Sequence, residues 1–256
     1  MRNSILASLI ALVVLANLAF AQAPPRMSDG KPNFSGMWDS PQKVNTRGPR
    51  GGPGGRTFDP EKMAPFKPGG EALLYQARTG DVRIDEPREL CLPSGFPSGM
   101  LQQYPLQFIQ TPQYLVMVHE FQRMSRIIPL DGRAHRKDLD PTYYGDSVGH
   151  WEGDTMVIDS TNFKRWILDD YHYTDETKTR WHSDALHTIE RLQFKDRNTV
   201  SYSITIDDPQ IFTAPWTQEF EMKLHPEWDA AGLLEYVCEE NNRCAGGTCR
   251  PADVQR

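Results

Sequence analysis

Between Leu106 and Leu224 the chain falls into short runs in which apolar and polar residues alternate every second position, the signature of half-buried β-strands. Leu106 to Thr111 and Tyr114 to Phe121 flank Pro112-Gln113, and Met124 to Leu130 ends in the turn pair Asp131-Gly132. Ser147 to Glu152 and Thr155 to Ser160 flank Gly153-Asp154. Ala185 to Phe194 and Thr199 to Asp207 flank Lys195 to Asn198. Trp216 to Leu224 then sets Trp216, Phe220, Met222 and Leu224 on one face against Thr217, Glu219, Glu221 and Lys223 on the other. Short strands joined by tight turns, with hardly a helical period among them, predict an all-β, antiparallel sheet that curls strongly or closes into a barrel. Helix is expected only in short peripheral pieces such as Gly70 to Ala77, and no internal repeat aligns.

Period two also sorts the titratable residues by face. On the strand from Tyr114, Leu115, Met117 and His119 share one side and Val116, Val118 and Glu120 the other; both sides are mostly apolar, which predicts a strand buried on both faces. His119 or Glu120 then needs an internal partner, and Arg126 on the next strand is the evident one for Glu120. Downstream, His187, Ile189 and Arg191 face one way, with Leu186, Thr188, Glu190 and Leu192 opposite.

The ends and linkers complete the layout. Arg2, the apolar run Ile5 to Phe20 and the small-x-small triplet Ala19-Phe20-Ala21 read as a secretory signal peptide over 1–21, cleaved after Ala21. The run is too interrupted by Asn and Ser to serve as a membrane anchor. Residues 22–32 are Pro-rich and expected to be flexible. A β-barrel domain is expected over 33–240, interrupted by the Gly/Pro/Arg loop 47–56, with 241–256 as a tail. A periplasmic or secreted location follows. The net charge of −6 offers no basic footprint for nucleic acid, and no second apolar run suggests membrane insertion.

Four cysteines in an oxidising compartment favour disulfides, with Cys244–Cys249 closing a short loop and Cys91–Cys238 a long one. A zinc site of the four lacks the paired C-x2-C spacing. Gly36-Met37-Trp38 resembles the Gly-x-Trp that opens the first strand of lipocalin-like barrels, which implies a barrel of that type with an interior able to hold a small ligand.

Six of the seven histidines lie between His119 and Arg191, among Asp131, Arg133, Asp159 and Glu190. Metal-independent acid/base catalysis needs an imidazole facing a cavity and a donor to hold negative charge. His187, Arg191 and His119 are the candidates, with His187 as acid/base and Arg191 as the anion holder. Arg133, His135, His182, Glu190, Asp159 and Trp151 are candidate ligand contacts. His182 and His187 stand five apart and fall on opposite faces of one strand, so no metal is expected, and no cofactor. The absence of a Gly-x-Ser-x-Gly elbow argues against a serine nucleophile.

Asp131-Gly132-Arg133-x-His135, Trp151 to Asp159 (WEGDTMVID), His182-Ser183-x2-Leu186-His187-x2-Glu190-Arg191 and Cys238-Glu239-Glu240-Asn241 together resemble a family of exported bacterial proteins of uncharacterised function, over roughly residues 88 to 242. That resemblance implies export but no catalytic assignment. Two functions stay open: a periplasmic protein that binds a small apolar or aromatic molecule, or an acid/base lyase, isomerase or hydrolase. A small-molecule ligand is the expected partner in either case.

Overall fold

The structure, a computed structural model, describes residues 23–43, 57–75, 91–169 and 179–237. The signal segment, the loop 47–56, His172, the tail 241–256 and Cys238, Cys244 and Cys249 lie outside the described residues. The described fold is all-β and antiparallel, with helix confined to 3-10 turns and one short α-helix, Gly70–Leu74.

The first sheet has four strands, β1 (Gly36–Trp38), β3 (Leu106–Gln110), β4 (Tyr114–His119) and β5 (Ser125–Pro129), in that order. The second has six, in the order β2 (Gln42–Lys43), β12 (Trp216–Lys223), β11 (Thr199–Asp207), β10 (His187–Asp196), β7 (Thr155–Thr161) and β6 (Asp146–Glu152). A separate pair joins β8 (Trp166–Ile167) to β9 (Trp181–His182). Each run of alternation read from the sequence is a strand here, to within one or two residues at its ends.

At one side the sheets share a piece of chain. Trp38 bridges to Leu224, Asp39 N–H donates to the Lys223 carbonyl at 3.0 Å, and His225 N–H donates to Met37 at 2.8 Å. Residues 36–43 thus pass from the first sheet to the second. Gly36 permits this: its φ is +141°, and a Cβ there would stand 2.7 Å from the Leu224 side chain. Trp38 is fully buried and donates its indole N–H to the Phe34 carbonyl at 2.8 Å.

At the other side the sheets meet without a ladder. β5 and β6 are edge strands. Arg126 reaches Ser147 at 3.1 Å, and a Cβ on Gly149 would strike the side chains of Ile128 and Leu130 at 3.0 and 2.7 Å. The contacts advance in the same direction along both strands, so they run parallel across this seam. A parallel pair needs a long crossover in place of a tight turn, and the irregular connection from Leu130 to Gly145 supplies it. The described strands therefore do not form a closed barrel.

Between the sheets, Trp38, Phe108, Met117, Tyr202, Phe220 and Met222 belong to one buried cluster, each at most 1% exposed. β4 is one-sided, not buried on both faces as the sequence suggested: Leu115, Met117 and His119 point inward, while Tyr114, Val116 and Val118 face outward and retain exposure. Residues 23–32, expected to be flexible, are docked. Arg26 grips Asp154 in the β6–β7 turn through two hydrogen bonds of 3.0 and 2.6 Å, and Lys31 lies 5.6 Å from the Trp151 ring centre.

Candidate functional site

The core holds a buried polar centre. Arg126 points inward from β5, with its side chain 2% exposed, and forms a bidentate pair with Glu190 from β10, which is fully buried. The two N–H···O distances are 3.1 and 2.6 Å, and the Tyr202 hydroxyl donates to the same carboxylate at 2.9 Å. Arg126 also donates to Ser147 and Ser160 at 3.1 and 3.2 Å, and its guanidinium lies 3.9 Å from the Phe96 ring centre. The expected partner Glu120 instead accepts from the Leu234 N–H. Its position just after β4 carries it out of the interior.

Close to this centre His119 is buried, with no well-formed hydrogen bond on either ring nitrogen among the described residues and its ring 6.1 Å from that of Tyr144. Burial, aided by the positive charge of Arg126, pushes its pKa down to about 3. Burial pushes the Tyr144 hydroxyl up, against the opposing pull of Arg126. His182 is likewise buried and its pKa is lowered to about 4, chiefly by desolvation; Nδ1 sits 2.8 Å from the Ser183 carbonyl. Ser183 donates to Asp208, not to His182, so no serine–imidazole pair exists there.

The outer face of the six-stranded sheet carries a second constellation. Asp146 begins β6, Asp159 stands on β7 and His187 on β10. The crossover after β5 folds His135 over them. His135 Nδ1 is 3.0 Å from Asp146 and its Nε2 is 3.0 Å from Asp159 Oδ1, the atom that also lies 2.9 Å from His187 Nε2. A neutral imidazole has one N–H, so His135 donates to both carboxylates at once only as the imidazolium. Arg136 closes the chain through its backbone N–H and Nε, 3.1 and 2.7 Å from Asp146. Burial works to raise the Asp146 pKa, yet hydrogen bonds from His135 and Arg136 outweigh it and hold the carboxyl below its ordinary value. No group of three or more His, Cys, Asp or Glu residues suited to a metal ion occurs among the described residues.

Beside this chain, along the seam, lies a cleft of about 420 Å³. Its walls come from β5 (Ser125, Arg126, Ile127, Pro129), the crossover (Arg133, Ala134, Arg136, Tyr144, Gly145) and the start of β6 (Asp146, Ser147, Val148), with Tyr114 at one end. The lining contains three guanidinium groups and one carboxylate. Arg133 is gripped by Asp131, whose pKa that hydrogen bonding lowers to about 2. Each rim guanidinium has five N–H donors, of which its carboxylate uses only some.

The sequence-derived candidates are therefore distributed over several places. Arg133 lines the cleft, and His135, Asp159 and His187 form the outer chain. His119 and Glu190 are buried between the sheets and His182 is buried on the separate β8–β9 pair, so His119 and His187 sit on opposite sides of a sheet and do not converge on one substrate. Arg191 shares the outer face with His187, as alternation predicted, but pairs with Glu152 at 2.5 Å. Trp151 stacks on Phe34 at 6.0 Å, toward the far end of β6. Asp146, Arg136, Tyr114 and Tyr144 were missed. Asp146 alternates with His150 on the outer face of β6, a signal present in the sequence, whereas Tyr144 and Arg136 are placed by an irregular crossover with no period to read.

No protein-family model matches the chain, and a search of curated proteins finds no match.

Proposed function

We propose that this is an exported protein that binds a small anionic molecule in the seam cleft between β5 and β6. The observation that carries this reading is the lining: three arginines, each held by one carboxylate but with N–H donors to spare, around a cleft of ligand size. Arg126 is held by Glu190 at the base, while Arg133 and Arg136, held by Asp131 and Asp146, keep further N–H donors for a carboxylate or similar oxyanion. Planar forks of this kind suit such groups. Ile127, Pro129, Tyr114 and Val148 give the ligand's apolar body a wall. Export rests on the leader over 1–21 and on the resemblance to exported bacterial proteins; the pairings Cys91–Cys238 and Cys244–Cys249 belong to the same reading. The Gly-x-Trp at β1 supports a lipocalin-like type for this antiparallel fold, open at one seam.

The experiment is native mass spectrometry of the protein purified from its host, followed by calorimetric titration with small carboxylates. A retained acid in the wild type that is lost in Arg133→Gln/Arg136→Gln supports the reading. No retained molecule together with no measurable binding of any carboxylate refutes it.

A second reading is acid/base catalysis, favoured by one observation. His187 has Nε2 held by Asp159 and, among the described residues, no hydrogen bond on Nδ1, the arrangement of an oriented imidazole with one nitrogen open to a substrate. Unchanged turnover of an identified substrate by a folded His187→Gln protein would remove it.

A further inference from the structure

The outer face of the four-stranded sheet breaks the usual rule that a solvated sheet face is polar. Ile109 on β3 is paired directly with Val116 on β4, and Val116 with Ile127 on β5. The row runs straight across three strands, with Ile109 46% and Ile127 63% exposed, and Tyr114 beside it is 37% exposed. No described element packs over it. The row does not end in open polar surface: Ile127 and Tyr114 are also walls of the seam cleft, where Arg133 and Arg136 stand. An apolar track thus leads into a recess faced by unsaturated guanidinium donors.

We infer that the ligand of the seam cleft is a single-chain anionic amphiphile, its carboxylate between Arg133 and Arg136 and its alkyl chain laid along Ile127, Val116 and Ile109. This rests on the cleft being a ligand site. The chemistry of the two ends fixes the class, because a purely polar acid leaves the track bare and a purely apolar molecule leaves the spare donors of Arg133 and Arg136 unused. The length is set by the sheet. Three strands span roughly 10 Å at the usual interstrand spacing, which matches an extended chain of about eight carbons. The track is one-sided, so each methylene laid on it is only partly removed from water; the affinity gain falls between about twofold and the roughly fourfold of complete burial. A bilayer is the rival occupant. Arg133 and Arg136 stand half-exposed at the rim of a single cleft of about 420 Å³, which has room for one head group, and the chain's net charge of −6 opposes an anionic membrane.

The test is calorimetric titration of the full-length mature protein with straight-chain carboxylates from butanoate to dodecanoate. The expected result is affinity that rises two- to fourfold per added methylene up to about eight carbons and then levels off. Ile109→Ser/Val116→Thr, two substitutions outside the cleft, should flatten that rise while butanoate binds as before. Butanoate binding with no gain from a longer chain overturns the amphiphile and leaves the cleft reading standing; no binding by any member overturns both. Binding to phosphatidylcholine–phosphatidylglycerol vesicles but not to the free acids overturns the inference in favour of a membrane surface. A dimer by light scattering that the double variant dissociates overturns it in favour of a second copy of the chain.

Discussion

Glu190→Gln isolates the energetics of the buried centre. The carboxylate is fully buried and accepts three hydrogen bonds, two from Arg126 and one from Tyr202. The amide keeps its shape but loses the charge and presents an NH2 group toward donors. Arg126 then remains 2% exposed, and its other described contacts, Ser147, Ser160, Met117 and the Phe96 ring, carry no negative charge. Removing one partner of a buried pair costs about 3 to 5 kcal/mol, most of it the penalty of the charge left behind. With a urea m-value of about 2 to 3 kcal/mol/M, the midpoint should fall by roughly 1 to 2.5 M. Arg126→Met should cost less, because the stranded carboxylate can take a proton, and the loss should shrink at lower pH. Arg126→Met/Glu190→Leu should recover most of the deficit, since an apolar pair of similar volume removes both desolvation penalties. Urea denaturation followed by tryptophan fluorescence gives all three values. A Glu190→Gln protein within 1 kcal/mol of wild type would refute a desolvated, charge-balanced centre, as would a double variant no better than the worse single one.

His119 and His182 titrate near 3 and 4 in the folded protein against 6.5 unfolded, so their stabilising effect is intact above pH 6.5. It is lost as pH falls below that value, because the unfolded chain then takes up protons that the native one refuses. The slope should be about 1.4 kcal/mol per pH unit for each histidine, and His119→Met should remove one such increment between pH 6 and 4; an unchanged slope counts against the burial argument. Gly149→Ala should force Ile128 and Leu130 away from β6 and cost about 1 to 3 kcal/mol, whereas wild-type stability would mean that the seam yields freely. Peptide mapping without reduction should recover Cys91 linked to Cys238 and Cys244 linked to Cys249, and free thiols at Cys91 and Cys238 would overturn that pairing.

The strands could be read from the sequence because alternation and turn pairs are local, and β10 shows how far this goes. Its period placed Glu190 opposite His187, and the structure keeps them on opposite faces. Which neighbour each side chain meets is another matter. Arg126 pairs with a residue 64 positions away, brought there by sheet order, whereas adjacency in sequence suggested Glu120. The short strands β2, β8 and β9 have two residues each, too few to show a period.

The seam was the least legible feature, and the physical reason lies in the rule that served elsewhere. Tight turns read along a chain yield antiparallel neighbours, so the reading offered either a fully paired barrel or a curled sheet with ordinary edges. It had no means of predicting two parallel edge strands held side by side by a crossover. Yet that crossover carries Arg133, His135 and Arg136 within four residues. Those residues have work there that a hairpin would not give them. Asp146 and Asp159 sit on neighbouring strands and would repel; His135 bridges them, and Arg136 balances Asp146 from the cleft side. The chain of contacts that fixes the crossover to the sheet is thus the same one that aims the rim arginine into the cleft. His135→Ala should accordingly weaken carboxylate binding through Arg136 without touching the ligand, by raising the dissociation rate and by freeing the crossover to exchange its amides faster than the strands on either side. Wild-type dissociation and exchange rates in that variant would separate the two roles and leave the histidine with the sheet alone.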